Sequence, residues 1–132
     1  MQIVIAWIAA GVAFAIADAI WLTQVAQRVY RPLIGEILRP DVGWPAAIAF
    51  YLIYISGIVF FAVAPALEKQ SLSSAALNGA LFGFVAYATY DLTNQATLRL
   101  WDWRVTALDM AWGAFATALA AAAAFWAVQR FS

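Results

Sequence analysis

Ile3-Val4-Ile5-Ala6-Trp7-Ile8-Ala9-Ala10-Gly11-Val12-Ala13-Phe14-Ala15-Ile16-Ala17-Asp18-Ala19-Ile20-Trp21-Leu22 carries a single charge, Asp18. A spanning helix needs about 20 mostly apolar residues to cross a hydrocarbon core of roughly 30 Å, and this run meets that requirement. So do Trp44 to Ala64, Ser73 to Asn94 and Val105 to Val128, with the clusters of charge lying between the four stretches. The strict alternation of a lipid-facing strand is absent. An all-α arrangement is the remaining way to satisfy every backbone amide in lipid. The reading is one four-span transmembrane domain over residues 1–132, an integral membrane four-helix bundle with a short interfacial segment between the first and second helices.

Composition agrees. The 132 residues are 67% hydrophobic, 16% aromatic and only 11% charged, too few polar residues to cover a water-facing globule of this size. Seven Lys/Arg balance seven Asp/Glu, so no basic field invites nucleic acid. The absence of cysteine and histidine removes disulfides, thiol and imidazole catalysis, haem held by His or Cys, and the usual zinc and iron–sulfur sites. No cofactor is named by the sequence, and three aspartates scattered over three helices form no recognised loop for a hard cation, so no dedicated metal site is expected.

Ala15-Ile16-Ala17 has the small-x-small form of a signal-peptide cleavage site. Met1-Gln2 carries no Lys or Arg, however, and the apolar run continues past the supposed cut, so the first span is expected to be an uncleaved helix. Lys and Arg are retained on the cytoplasmic side. Arg28, Arg31, Arg39, Arg99 and Arg104 fall in the first and third connections, against Lys69 and Arg130 on the other side. Both termini are therefore expected outside. Trp21, Trp44, Trp101, Trp103 and Trp112 mark the cytoplasmic interface, and Trp7 and Trp126 the opposite one.

In the long first connection, Val25, Val29, Leu33, Ile34, Ile37 and Leu38 recur near helical spacing between charges, which suits a segment lying on the membrane surface. Pro32 and Pro40 should keep it short or bent, and Pro65 should kink or finish the second span. Ser71 or Ser73 is a candidate cap for the third. Small residues at every fourth place (Ala9, Ala13, Ala17; Gly79, Gly83; Gly113, Thr117, Ala121) mark faces where helices pack closely.

The chemistry-bearing residues are Asp18, Asp91 and Asp109. An aspartate at the bilayer centre costs about 2.5–3.5 kcal/mol, so each should face the bundle. The first and third helices end on the side where the fourth begins, which brings the three acids to one level of the cytoplasmic half. Reckoned from Leu22, Asp18 lies about 6 Å inside its helix. Gly79, Gly83, Tyr87, Asp91 and Gln95 step by four along one stripe, flanked by Tyr90 and Asn94, and the Asp109 face continues through Gly113 and Thr117, which leaves room beside the carboxylate. The second helix offers Tyr51, Tyr54 and Ser56. Asp18-Ala19-Ile20-Trp21 and Asp109-Met110-Ala111-Trp112 each set an indole one turn from a carboxylate, where it can wall a pocket. A purely structural alternative has the acids pinned by Tyr, Asn, Thr, Arg99 or Arg104. Glu36, Asp41, Glu68 and Asp102 are read as solvated loop residues.

Tyr90-Asp91-Leu92-Thr93-Asn94, Trp101, Asp109-Met110-Ala111-Trp112-Gly113, and the earlier Asp18-Ala19-Ile20-Trp21 and Tyr30-Arg31-Pro32-Leu33-Ile34-Gly35 resemble the bacterial family of small membrane proteins designated domain of unknown function 2177. The resemblance covers nearly the whole chain. It implies a four-span protein of a bacterial inner membrane whose distinguishing residues coincide with the acidic cluster, and it carries no activity with it.

Three function classes follow. The leading one is a binding protein for an amphipathic or lipid-like ligand, with or without a proton or cation, held by Asp18, Asp91 and Asp109, by Tyr87, Tyr90 and Asn94, and between Trp21 and Trp112. A lipid-modifying enzyme would use paired aspartates as acid and base. An accessory subunit would dock a membrane-protein partner, or a second copy, on the alanine-rich fourth helix. Membrane lipids are expected partners in every case.

Overall fold

A computed structural model describes all 132 residues and contains helices only. Four are long and apolar enough to cross a membrane: α1 Gln2–Ile37, α2 Trp44–Lys69, α3 Leu72–Thr97 and α4 Trp103–Phe131. Ile8, Ile53, Phe60, Leu77 and Phe115 stand exposed around the bundle, an apolar belt suited to hydrocarbon and not to water.

The hub is α4. It packs along both α1 and α3, which make little contact with each other. Ala116, Ala120, Ala121 and Ala124 of its alanine-rich run are buried inside the bundle. This corrects the expectation that they form an outward docking face: the protein's own helices already cover them. Between α3 and α4 the backbones nearly touch. A Cβ on Gly79 would stand 2.7 Å from the Thr117 carbonyl oxygen, and one on Gly83 would stand 2.6 Å from Thr117 Oγ1 and closer still to the Gly113 carbonyl. On α1 the buried positions are Ala6, Ala10, Phe14 and Ala17; of the expected Ala9, Ala13 and Ala17 stripe, Ala17 is buried and Ala9 and Ala13 are half-buried against the core. Phe14 meets the Tyr54 ring at 5.3 Å, Tyr54 stacks on Phe82 at 5.2 Å, and the Tyr54 and Thr117 hydroxyls are hydrogen-bonded at 2.7 Å, which ties all four helices together.

Two helices depart from the regular α pattern, each just before a proline. Beyond Ile20, α1 widens into i→i+5 turns over Trp21–Tyr30, returns to α over Arg31–Ile34 and tightens over Gly35–Ile37. The expected surface segment is thus the distal part of α1, and Leu22 ends nothing from which the depth of Asp18 could be measured. In the same way, α2 widens over Val59–Val63 and continues through Pro65 to Lys69, so Pro65 does not finish it. Proline lacks the N–H donor, and its ring collides with the carbonyl four residues back. A wide turn placed just before it relieves both demands, so the helix continues. Residues 38–43, including Pro40, form an irregular link. Gln70, at φ 53°, turns the chain from α2 into α3, and Ser71 caps α3 by accepting the Ser74 N–H at 3.1 Å.

The close approach of α3 and α4 gives a direct test. Gly83→Ala drives a methyl group into backbone and should cost about 1–3 kcal/mol in detergent unfolding titrations. A Cβ at Gly11 meets only the Ile55 side chain, at 3.3 Å, so Gly11→Ala should stay within about 0.5 kcal/mol of the wild type.

Candidate functional site

The packing that brings glycines together also brings acids together. Each four-residue step along α3 is answered by a four-residue step back along α4: Gly79 faces Ala121, Gly83 faces Thr117, Tyr87 lies over Gly113, and Asp91 reaches Asp109. The bare α-carbon of Gly113 admits the Tyr87 ring, since any Cβ there would overlap it. The room expected beside Asp109 is therefore partly filled by a phenol. The Asp91 and Asp109 carboxyl groups are thereby neighbours, without a well-formed hydrogen bond between them.

Around this pair is a cavity of about 460 Å³, lined by Asp18, Asp91 and Asp109 together with Trp21, Trp112, Tyr30, Tyr87 and Tyr90. Seven of the eight sequence-derived candidates are thus brought together. Asn94, one turn beyond Tyr90, does not line the cavity. The two indoles form one wall: Trp21 and Trp112 stack at 4.3 Å with their planes 9° apart. The distal turns of α1 roof the space with Gln27, Tyr30 and Arg31, while Arg39 and Asp41 of the 38–43 link stand at its rim.

Hydrogen bonds are distributed unevenly over the acids. Tyr30 donates to Asp109 Oδ1 at 2.7 Å and itself accepts the Trp21 Nε1–H at 3.2 Å. The Tyr51 hydroxyl donates to Asp18 Oδ2. Asp91 is 0% exposed, and neither of its oxygens has a protein hydrogen bond of good geometry. The Trp112 indole N–H, beside Asp18, is likewise buried without a well-formed bond. No arginine compensates any of the three acids. The one ion pair in the structure joins Arg104 to Asp102 at 2.8 Å, and Arg99 pairs with nothing. The arginine pinning considered from the sequence is therefore absent.

Sequence reasoning assigned no role to Tyr30, although it lies in the Tyr30-Arg31-Pro32 motif. In an α-helix a separation of nine residues is two and a half turns and would put Trp21 and Tyr30 on opposite faces. The wide turns of α1 bring them within one hydrogen bond of each other. Tyr51 was legible only as a polar residue of the second span. Trp101 bonds Thr106 Oγ1 at 2.8 Å and meets the Tyr90 ring at 5.9 Å, closing the cavity from the α3–α4 link.

These features define a small polytopic membrane protein with an acidic, aromatic-walled cavity at the end of the bundle where α4 begins. Over residues 3–126 the chain matches the family described as "Predicted membrane protein (DUF2177)", and it belongs to that family. No curated protein and no solved structure matches it.

Asp102 departs from its expected role as a merely solvated loop residue. Its carboxylate accepts the Arg104 side-chain Nε–H and Nη2–H at 2.9 and 2.8 Å, and the Arg104 backbone N–H at 2.9 Å, which caps α4. The Arg104 guanidinium, then the backbone N–H, hold its carboxyl down at about 2. A carboxylate held low stabilises the fold above its unfolded value near 4 and loses that contribution as the pH falls toward 2. The unfolding midpoint of Asp102→Ala should therefore lie below that of the wild type at pH 6, and the gap should narrow steadily between about pH 4 and pH 2.

Proposed function

We propose that this protein binds an amphipathic ligand in the cavity at the acidic end of the bundle. The observation that carries the reading is Asp91: wholly buried, lining the cavity, with two carboxylate oxygens that no protein group satisfies. Leaving a buried polar group unpaired costs about 1–3 kcal/mol, and more when it is charged. A structural aspartate would have a donor, as Asp18 and Asp109 do. A ligand supplying donors to Asp91 would recover that loss on binding, and the stacked indoles offer it an apolar wall. The protein would sit in a bacterial inner membrane with both termini outside and the acidic cavity at the cytoplasmic leaflet, the arrangement favoured by the basic residues of the first and third connections.

If this is right, Asp91→Asn should unfold in detergent at the same denaturant level as the wild type or higher, by up to about 2 kcal/mol. Organic extracts of the purified wild type should carry a stoichiometric amphiphile that extracts of the variant lack. A large loss of stability, with both extracts empty, would instead mark Asp91 as a structural residue. Orientation is accessible because the chain has no cysteine of its own. A membrane-impermeant maleimide should label Ser132→Cys in spheroplasts and should reach Glu36→Cys only after lysis; the reverse pattern would invert the assignment.

A further inference from the structure

A second cavity, of about 270 Å³, adjoins the first and is lined by Phe50, Ala86, Tyr87, Tyr90 and Asp109. Tyr87, Tyr90 and Asp109 line both, so the two spaces meet at those residues. The smaller one lies between α2 and α3. The backbones of these helices are close along the Val59–Lys69 half of α2, but the Trp44–Ile58 half leans on α1 and its backbone stands away from α3, which it meets through side chains such as Tyr54 on Phe82. The pair therefore separates toward the acidic end. Phe50 and Tyr90, 46% and 56% exposed, stand at the gap on the outer surface of the bundle, which in a membrane is the lipid side. Apart from Asp109 at its inner end and the Tyr hydroxyls, the slot is carbon-walled: a path from hydrocarbon to carboxylate.

We infer that the ligand is a single-chain amphiphile whose cationic nitrogen follows directly on its apolar chain, and that it enters sideways from the bilayer between α2 and α3. The inference rests on the binding reading above and gives it a ligand class. The chain would lie in the slot between Phe50 and Ala86, and the first polar group past Tyr87 and Tyr90 would meet Asp109 and then Asp91. Charge selects the head. Arg31 and Arg39 stand at the roof and rim against four lining aspartates, Asp18, Asp41, Asp91 and Asp109, and neither pairs with the three inner acids, so the inner end disfavours phosphate, sulfate or carboxylate. An ammonium brings donors only, and both Asp91 oxygens lie without a protein partner. The Trp21–Trp112 pair and the surrounding phenols add ring faces that attract a cation. A head separated from its chain by a phosphodiester would set that phosphate against Asp109, which is why the nitrogen must follow the chain directly.

The test uses the full chain in maltoside micelles, with tryptophan fluorescence as readout and protein-free micelles as the partition control. The probes are dodecylammonium, dodecanol, dodecanoate and ethylammonium. Dodecylammonium should bind at least about tenfold more tightly than the alcohol or the carboxylate, and Asp91→Asn should lose that margin. Ala86→Phe, which fills the slot, should weaken dodecylammonium binding by about tenfold and leave ethylammonium unchanged. Phe50→Trp at the half-exposed gap should act in the same direction and serves if Ala86→Phe fails to fold. Equal or tighter binding of dodecanol or dodecanoate overturns the cationic head. Unchanged dodecylammonium binding in folded slot variants overturns lateral access while leaving the acidic cavity as the binding site. If no probe binds and Asp91→Asn yields the same extract as the wild type, the inference falls together with the binding reading.

Discussion

The antiparallel register of α3 on α4, set where Gly83 meets Gly113 and Thr117, is the constraint on which the site depends. Hydrocarbon gives no hydrophobic reason for helices to associate, so they hold by dispersion between backbones brought close, and only small residues permit that approach. Once Gly79 and Gly83 are seated, nothing further along the stripe is free. Two turns below Gly83, Asp91 must come to lie beside Asp109, one turn below Gly113. The acids are neighbours because the glycines are, and the packing of the membrane-embedded half decides the electrostatics at its end.

Both stripes could be read from the sequence, since Gly79-Gly83-Tyr87-Asp91 and Asp109-Gly113-Thr117-Ala121 each repeat every fourth residue. So could the four spans, because about 20 apolar residues in a row have few other uses. The distal half of α1 was not legible, and the reason is geometric. Sequence patterns are read at 3.6 residues per turn, and from Trp21 to Tyr30 the helix does not keep that period. The residues that looked like a separate amphipathic strip instead wind back over the cavity. Tyr30 reaches Asp109 from a position that ordinary periodicity would aim away from it. On α1 the expected stripe was right at Ala17 and incomplete elsewhere for a simpler cause: alanine occupies so many positions there that the fully buried Ala6 and Ala10 could not be told from Ala9 and Ala13 without the partner helix in view.

The wide turns also explain how prolines coexist with long helices here. Pro32 and Pro65 each follow a run of i→i+5 turns, so the break expected from proline is absorbed one turn earlier as a change of pitch. In α1 that change of pitch is also what presents a phenol to the acidic cluster. In α2 it falls where the helix lies against α3, before the two part toward the acidic end. The same local device therefore precedes the roof of the larger cavity in one helix and sits at the junction from which the lateral gap opens in the other.

Three carboxylates at one place in a lipid-embedded bundle would be costly if each were alone, but the protein treats them differently. Asp109 takes a hydrogen bond from a two-member relay, Trp21 to Tyr30, and Asp18 takes one from Tyr51. Asp91, the most enclosed, takes none. A bundle shaped only for stability would satisfy its innermost acid first, because desolvation is most complete there. Here the order is reversed. The outer two acids are held in place by phenols, of which Tyr30 also walls the cavity, and the inner one has no well-formed hydrogen bond from the protein.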